Sequence, residues 1–188
     1  MKISTAPILL LLSLSLLSAA CIADDDEYEN EGGSGGLFQQ QKDVASVTNA
    51  LYKEECGSCH FAYPPGLLPG SSWIKIMSQL DQHFDDNAEL EADVQKKLTD
   101  YLLQYSADKS TYRRSMRIMR STSVDSAPIR ITELPYFIHE HNEIPSRMFK
   151  GNDKVGSLSN CDACHQRAEQ GYFSEREINI PGYGAWDD

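Results

Sequence analysis

Two pentads in the chain carry residues whose types and spacing could do chemistry. Cys56-Gly57-Ser58-Cys59-His60 and Cys161-Asp162-Ala163-Cys164-His165 repeat one pattern, two thiols followed at once by an imidazole. With this spacing two thiols can add across the two vinyl groups of one porphyrin, and the next imidazole can sit under the iron. The pentads therefore point to two covalently held c-type haems. Cys56, Cys59, Cys161 and Cys164 are the attachment sites, and His60 and His165 the proximal iron ligands. A four-cysteine zinc knot would use paired Cys-x-x-Cys but does not require a histidine after each pair. A thioredoxin-like pair needs a strand before it and a helix after it, and Pro64-Pro65 so soon after Cys59 argues against that. Disulfides in an exported chain are the strongest competing reading, but two full pentads account for every cysteine except Cys21.

A haem iron has a second axial position to fill. The remaining histidines are His83, His139 and His141, and the methionines beyond Met1 are Met77, Met116, Met119 and Met148. The choice matters because a Met/His iron has a higher potential than a His/His one.

The elements that must position these groups read as mainly α. Val44, Val47, Leu51 and Tyr52 give helical spacing over residues 43–55, running into the first pentad. A rigid proline and glycine loop spans 63–70. Ser71 or Ser72 is then placed to cap a helix carrying Trp73, Ile76, Met77 and Leu80 on one face. Met77 lies within that apolar stripe and reads as core, whereas His83 follows at the helix end, where a chain can bend towards an iron. A third helix is predicted over 90–105 from Leu90, Val94, Leu98, Tyr101, Leu102 and Tyr105. Residues 112–120 put Tyr112, Met116 and Met119 on one stripe and Arg113, Arg117 and Arg120 beside it, with Arg114 as a fourth base. Those arginines form a solvated face or pair with haem propionates or an acidic partner. Residues 128–145 read as extended or turn-like, with Ile129, Ile131, Leu134, Tyr136, Phe137 and Ile138 packing inward. Loops and short helices follow.

The N-terminus sets the compartment. Met1-Lys2, a leucine-rich run within 6–20 and Ser18-Ala19-Ala20 read as a secretory signal peptide over 1–23, too short to span a bilayer comfortably. The expected location is therefore the periplasm. Cleavage after Ala20 would leave Cys21 first in the mature chain, free to carry a lipid anchor and tether the protein to a membrane. Cleavage after Ala23 would discard it. An acidic and Gly-rich linker occupies 24–36, before an N-terminal haem domain at 37–108 and a C-terminal one at 109–188. The formal charge of the 188-residue chain is -11, from 17 basic and 28 acidic residues, which argues against a nucleic-acid partner. The acids are uneven: six lie within 24–31, the N-terminal domain has a net of -6, and the C-terminal domain is neutral.

Four stretches carry a family resemblance: Cys56-Gly-Ser-Cys-His-Phe-Ala-Tyr-Pro-Pro-Gly-Leu-Leu-Pro69; Ser72-Trp73 through His83-Phe84 to Asn87-Ala88; Arg130-Ile-Thr-Glu133 through His141 to Ile144-Pro145; and Ser159-Asn-Cys-Asp-Ala-Cys-His165 with Ala168-Glu169. In order and spacing they resemble the bacterial periplasmic dihaem cytochromes c related to the partner of a small oxygen-binding monohaem cytochrome. The resemblance implies a class I cytochrome c-like N-terminal domain and a loop-rich C-terminal haem domain. It also implies bis-histidine irons, with His83 serving the N-terminal haem and His141, rather than His139, the C-terminal one. Two departures are the 24–36 extension and Asp85, where the family has Gly after His-Phe.

The function expected is electron transfer without bond chemistry, not enzymatic catalysis. By resemblance the partners are a small monohaem cytochrome c and a membrane b-type cytochrome fed from the quinone pool. The alternative is a haem enzyme or gas sensor, such as a dihaem peroxidase, with one iron left open on its distal side.

Overall fold

The computed structural model describes residues 40–123 and 128–186. The expected signal peptide, Cys21 and the 24–36 linker lie outside the described residues, which all fall within one compact unit, Gln39–Asp188. Among the described residues six helices run in order: α1 (Ala50–Cys56), α2 (Gly70–Met77), α3 (Ala92–Gln104), α4 (Arg113–Ser121), α5 (Pro135–His141) and α6 (Cys161–Cys164). Between them lie single 3-10 turns, concentrated after residue 130, and near the end β1 (Asn179–Ile180) pairs antiparallel with β2 (Gly184–Ala185). The mainly helical architecture with an irregular C-terminal half is as expected. No helix among the described residues is long and apolar enough to cross a membrane.

Several boundaries differ from the sequence expectation, and at the first two a distant partner decides it. Residues 43–49 are not helical. The Asp43 and Val44 N–H groups instead donate to the Gly171 carbonyl at 2.8 and 3.2 Å, and the Asp43 carboxylate accepts the Phe173 N–H at 2.8 Å. The helix proper starts only after Asn49, whose side chain accepts the Tyr52 N–H at 3.0 Å as an N-cap. Neither Ser71 nor Ser72 caps α2, which begins at Gly70 after Pro69. The Ser72 hydroxyl is buried and donates to the Pro128 carbonyl at 2.7 Å. Residues 135–141 are helical rather than extended, because Pro135 occupies the first helical position, where its missing N–H costs nothing. On that helix Ile138 points out, 54% exposed.

α4 forms as predicted, but its buried face carries Ser115 and Ile118, while Tyr112 and Met116 are exposed. The expected apolar stripe is rotated because α4 packs against α5 and against the 3-10 turns at 65–67 and 107–109. Ser115 donates to the Gly66 carbonyl at 2.8 Å inside that contact. One apolar cluster joins the two halves of the chain. Tyr52, Leu67, Leu68, Trp73, Ile76, Met77, Leu98 and Leu102 pack with Ile118, Leu134, Phe137, Ala168 and Phe173. Met77 is a wall of this core, 4% exposed.

Candidate haem sites

The first pentad leaves the end of α1. Cys56 is the last helical residue, and Gly57 closes the helix with its N–H on the Lys53 carbonyl at 3.0 Å, leaving no room for a Cβ against that carbonyl. The chain then turns sharply through Ser58 and Cys59 to His60. The His60 Nδ1 lies 2.8 Å from the Phe61 carbonyl oxygen. A carbonyl only accepts, so the proton sits on Nδ1 and the Nε2 lone pair is left for a metal.

The second pentad is α6 itself, with His165 closing it through an N–H bond to the Cys161 carbonyl at 2.8 Å. A single backbone bridge to Ile178 ties His165 to the segment entering β1. Its Nδ1 is buried and has no hydrogen-bond partner among the described residues. Burial, with His141 and Arg114 nearby, pushes its pKa down to about 3, so it remains a neutral imidazole at physiological pH.

Each proximal imidazole faces a second one. The His60 and His83 ring centroids are 6.1 Å apart with planes at 19°, and those of His165 and His141 are 6.2 Å apart at 72°. Two imidazole–metal bonds of about 2 Å, plus a ring radius at each end, come to about 6 Å. Both pairs therefore stand at the spacing of two axial ligands on one iron.

His83 is aimed by an unusual turn. Phe84 and Asp85 both have left-handed backbone, φ 53° and 80°, and the chain doubles back so that the Asp86 N–H reaches the His83 carbonyl at 3.1 Å. This explains why glycine suits position 85, although aspartate is among the residues that tolerate the left-handed region best. The Arg130 guanidinium lies over the Phe84 ring at 4.2 Å and holds the turn. Burial and the neighbouring His60 lower the His83 pKa, against an opposing effect from Asp86, which favours the neutral, ligating form.

His141, at the C-terminal end of α5, is fixed from both sides. Its Nδ1 lies 2.9 Å from the Phe137 carbonyl, and its ring stacks on Phe137 at 3.9 Å and 10°. His139 is exposed on the same helix and does not line the cavity into which His141 projects. That cavity is largely apolar. His141, His165, Cys161 and Cys164 border it with Ile118, Leu134, Met148, Phe149, Phe173, Ile180 and Trp186. A second, more polar cleft brings the two pentads side by side, with Cys59 and His60 on one wall and Asn160, Asp162 and Ala163 on another.

These sites suit a porphyrin better than a bare ion. Among the described residues no three His, Cys, Asp or Glu side chains are arranged to share a metal. A haem needs only two protein ligands, an apolar enclosure and two thiols. Burial pushes the Cys56 thiol up to about 11 and Cys161 up to about 12, keeping both as neutral S–H groups rather than metal-binding thiolates.

Comparison with known proteins identifies the family. The family model described as "Dihaem cytochrome c" matches residues 52–173. The chain belongs to the dihaem cytochrome c family. The solved diheme cytochrome type c from Shewanella baltica OS155 is 44% identical, covering 74% of this chain and 98% of its own, with a TM-score of 0.62. A diheme cytochrome c from Rhodobacter sphaeroides is 39% identical, covering 69% and 100%, also with a TM-score of 0.62. A further crystal structure from Rhodobacter sphaeroides has 38% identity and a TM-score of 0.55, covering 68% and 99%. No curated protein matches the chain. As a dihaem cytochrome c it carries two c-type haems with their irons.

Sequence reasoning missed the group that braces the second site. Arg114 is neither on a solvated face nor open to a partner. Its side chain is 15% exposed, lies 3.7 Å from both Asp43 and Glu140, and donates to the Tyr136 hydroxyl and the Phe173 carbonyl at 3.0 Å each. Arg113, Arg117 and Arg120 remain exposed. Helical periodicity sets Arg114 apart from the stripe of these three, one turn before Ile118, but does not show the carboxylates it meets.

Proposed function

We propose that the protein is a periplasmic electron carrier with two bis-histidine haems. Cys56 and Cys59 would hold the N-terminal haem between His60 and His83, and Cys161 and Cys164 the C-terminal one between His165 and His141. The haems supply one-electron iron chemistry. The chain would supply four imidazoles to hold the haems, apolar walls that keep water from the C-terminal site, and close placement of the two attachment segments. The observation that carries this reading is the pair of imidazole separations, 6.1 and 6.2 Å, one at each pentad. With His60 and His83 holding one haem and His165 and His141 the other, neither would leave a place for substrate, and the chemistry supplied would be electron exchange.

Membership of the family supports haem-based electron transfer. Export by a signal peptide over 1–23 and anchoring through Cys21 rest on the sequence. So do the proposed partners, a small monohaem cytochrome c and a membrane b-type cytochrome. An acidic N-terminal half and an arginine-bearing C-terminal half offer two electrostatically different faces for such partners. Redox encounters of this kind are small and weaken with salt.

Ligation is tested by replacing one histidine at a time in the haem-loaded protein and recording its absorption and electron paramagnetic resonance (EPR) spectra. His83→Ala and His141→Ala should each turn one haem high-spin, while His139→Ala leaves both low-spin. A high-spin haem on loss of His139, with none on loss of His141, would overturn the C-terminal assignment.

A further inference from the structure

The two attachment segments are tied together by one side chain that the ligand set does not use. Tyr63 follows the first pentad by three residues. Its ring lies 5.2 Å from the His60 ring, centroid to centroid, and its edge meets Phe61 at 5.4 Å. Its hydroxyl donates to the Ser159 carbonyl, 96 residues on, at 2.8 Å. The Cys161 N–H donates to that same carbonyl at 3.0 Å, and the Cys161 thiol lies 3.6 Å from it. One oxygen therefore joins Tyr63 to the start of the second pentad. Behind Tyr63, the Tyr52 hydroxyl donates to its carbonyl at 2.8 Å, and Pro64 and Pro65 stiffen the chain beyond.

We propose that Tyr63 is a positioning residue for electron exchange between the haems: packed on His60 and bonded to the carbonyl that holds Cys161, it fixes the separation of the two attachment segments. The inference rests on the electron-carrier reading above and names the residue on which internal exchange depends. The step balances within the protein, one iron losing the electron that the other gains, with no proton moved and Tyr63 neither oxidised nor ionised. Burial pushes the Tyr63 phenol up to about 12, consistent with a permanent donor.

The test uses the haem-loaded full chain. Interhaem exchange is followed after flash reduction, alongside midpoint potentials and the EPR signal of the fully oxidised protein. Tyr63→Phe keeps the ring and removes the hydroxyl. It should slow exchange severalfold, because electron tunnelling falls off exponentially with the separation of donor and acceptor, and alter the magnetic interaction between the irons, with both potentials retained. Ser159→Ala keeps the accepting carbonyl and should leave the rate unchanged. Tyr52→Phe loosens Tyr63 from behind, should slow exchange to a smaller extent, and decides the matter if Tyr63→Phe fails to take up both haems. An unchanged rate and EPR signal in either tyrosine variant carrying both haems would overturn the inference while leaving the electron-carrier reading intact. A wild-type protein without reversible couples would overturn both.

Discussion

Arg114 shows how much a single buried charge organises around the C-terminal site. It sits among Asp43, Tyr136 and Glu140 of α5, and Phe173, which come from three separate parts of the chain, and its cation faces the rings of Tyr136 and Phe173 at 5.6 and 5.7 Å. Removing one member of a buried ionic group leaves the others desolvated and unpaired, at a cost of about 3–5 kcal/mol. Arg114→Met should therefore lower the melting temperature of the haem-loaded protein by about 10 °C; a shift within one or two degrees would show that the carboxylates are effectively solvated. Asp85 makes the opposite case. Its backbone at φ 80° carries a left-handed cost of roughly 1–2 kcal/mol for a residue with a side chain. Asp85→Gly should recover up to about 1 kcal/mol in a denaturant melt, reduced by the extra entropy of glycine in the unfolded chain, and leave the His83-linked spectrum unchanged. The pentads are legible in the sequence because covalent haem attachment demands adjacent residues, whereas His83 and His141 stand far from them and come only from the family resemblance. Arg114 is not legible, because its partners arrive from residues 43, 140 and 173, and helical periodicity says which residues share a face but not what packs against it.

At the scale of elements, one helix is held by a tertiary cap. α2 starts behind Pro69 with no cap from its own sequence, and the Asp108 carboxylate supplies one by accepting the Gly70 N–H at 2.7 Å. Burial pushes the Asp108 carboxyl up, but the bonds from Gly70 and Ser106 outweigh it and hold it below its usual value. The folded pKa lies below the unfolded one, so this contribution is present above about pH 3.9 and lost as the pH falls through the folded value. Asp108→Ala should cost about 1 kcal/mol near neutral pH, the usual worth of a helix cap. The stability gap to wild type should narrow in acid below that range; a gap independent of pH would show that the carboxylate's charge plays no part. α3 was legible almost to its ends, 90–105 against 92–104, because it presents one long apolar stripe. The non-helical start at 43–49 was not, because the Asp43 and Val44 N–H groups go to Gly171. α5 was missed although Pro135 at its first position is a recognised start signal.

On the scale of the whole molecule, the two pentads share one body. Core residues from Val44 to Phe173 form a single cluster, and the start of the described chain is stitched to Gly171, whose φ of 87° and contact with the Val44 carbonyl leave no space for a Cβ. Gly171→Ala should therefore weaken both haem sites together, read as one cooperative transition at lower temperature rather than the loss of one haem's signal. Two separate transitions would show that the halves are independent. The fold class was legible from helical periodicity and the repeated pentad, but the joining of the halves rests on long-range bonds such as Tyr63 to Ser159, which no local pattern announces. The central claim, two saturated irons exchanging single electrons, is tested most directly by potentiometric titration of the haem-loaded protein with absorption spectra, and carbon monoxide added to its reduced form. The account predicts two c-type haems per chain, two reversible one-electron couples, and low-spin spectra that carbon monoxide does not change at native pH. A high-spin iron that binds carbon monoxide rapidly would contradict it.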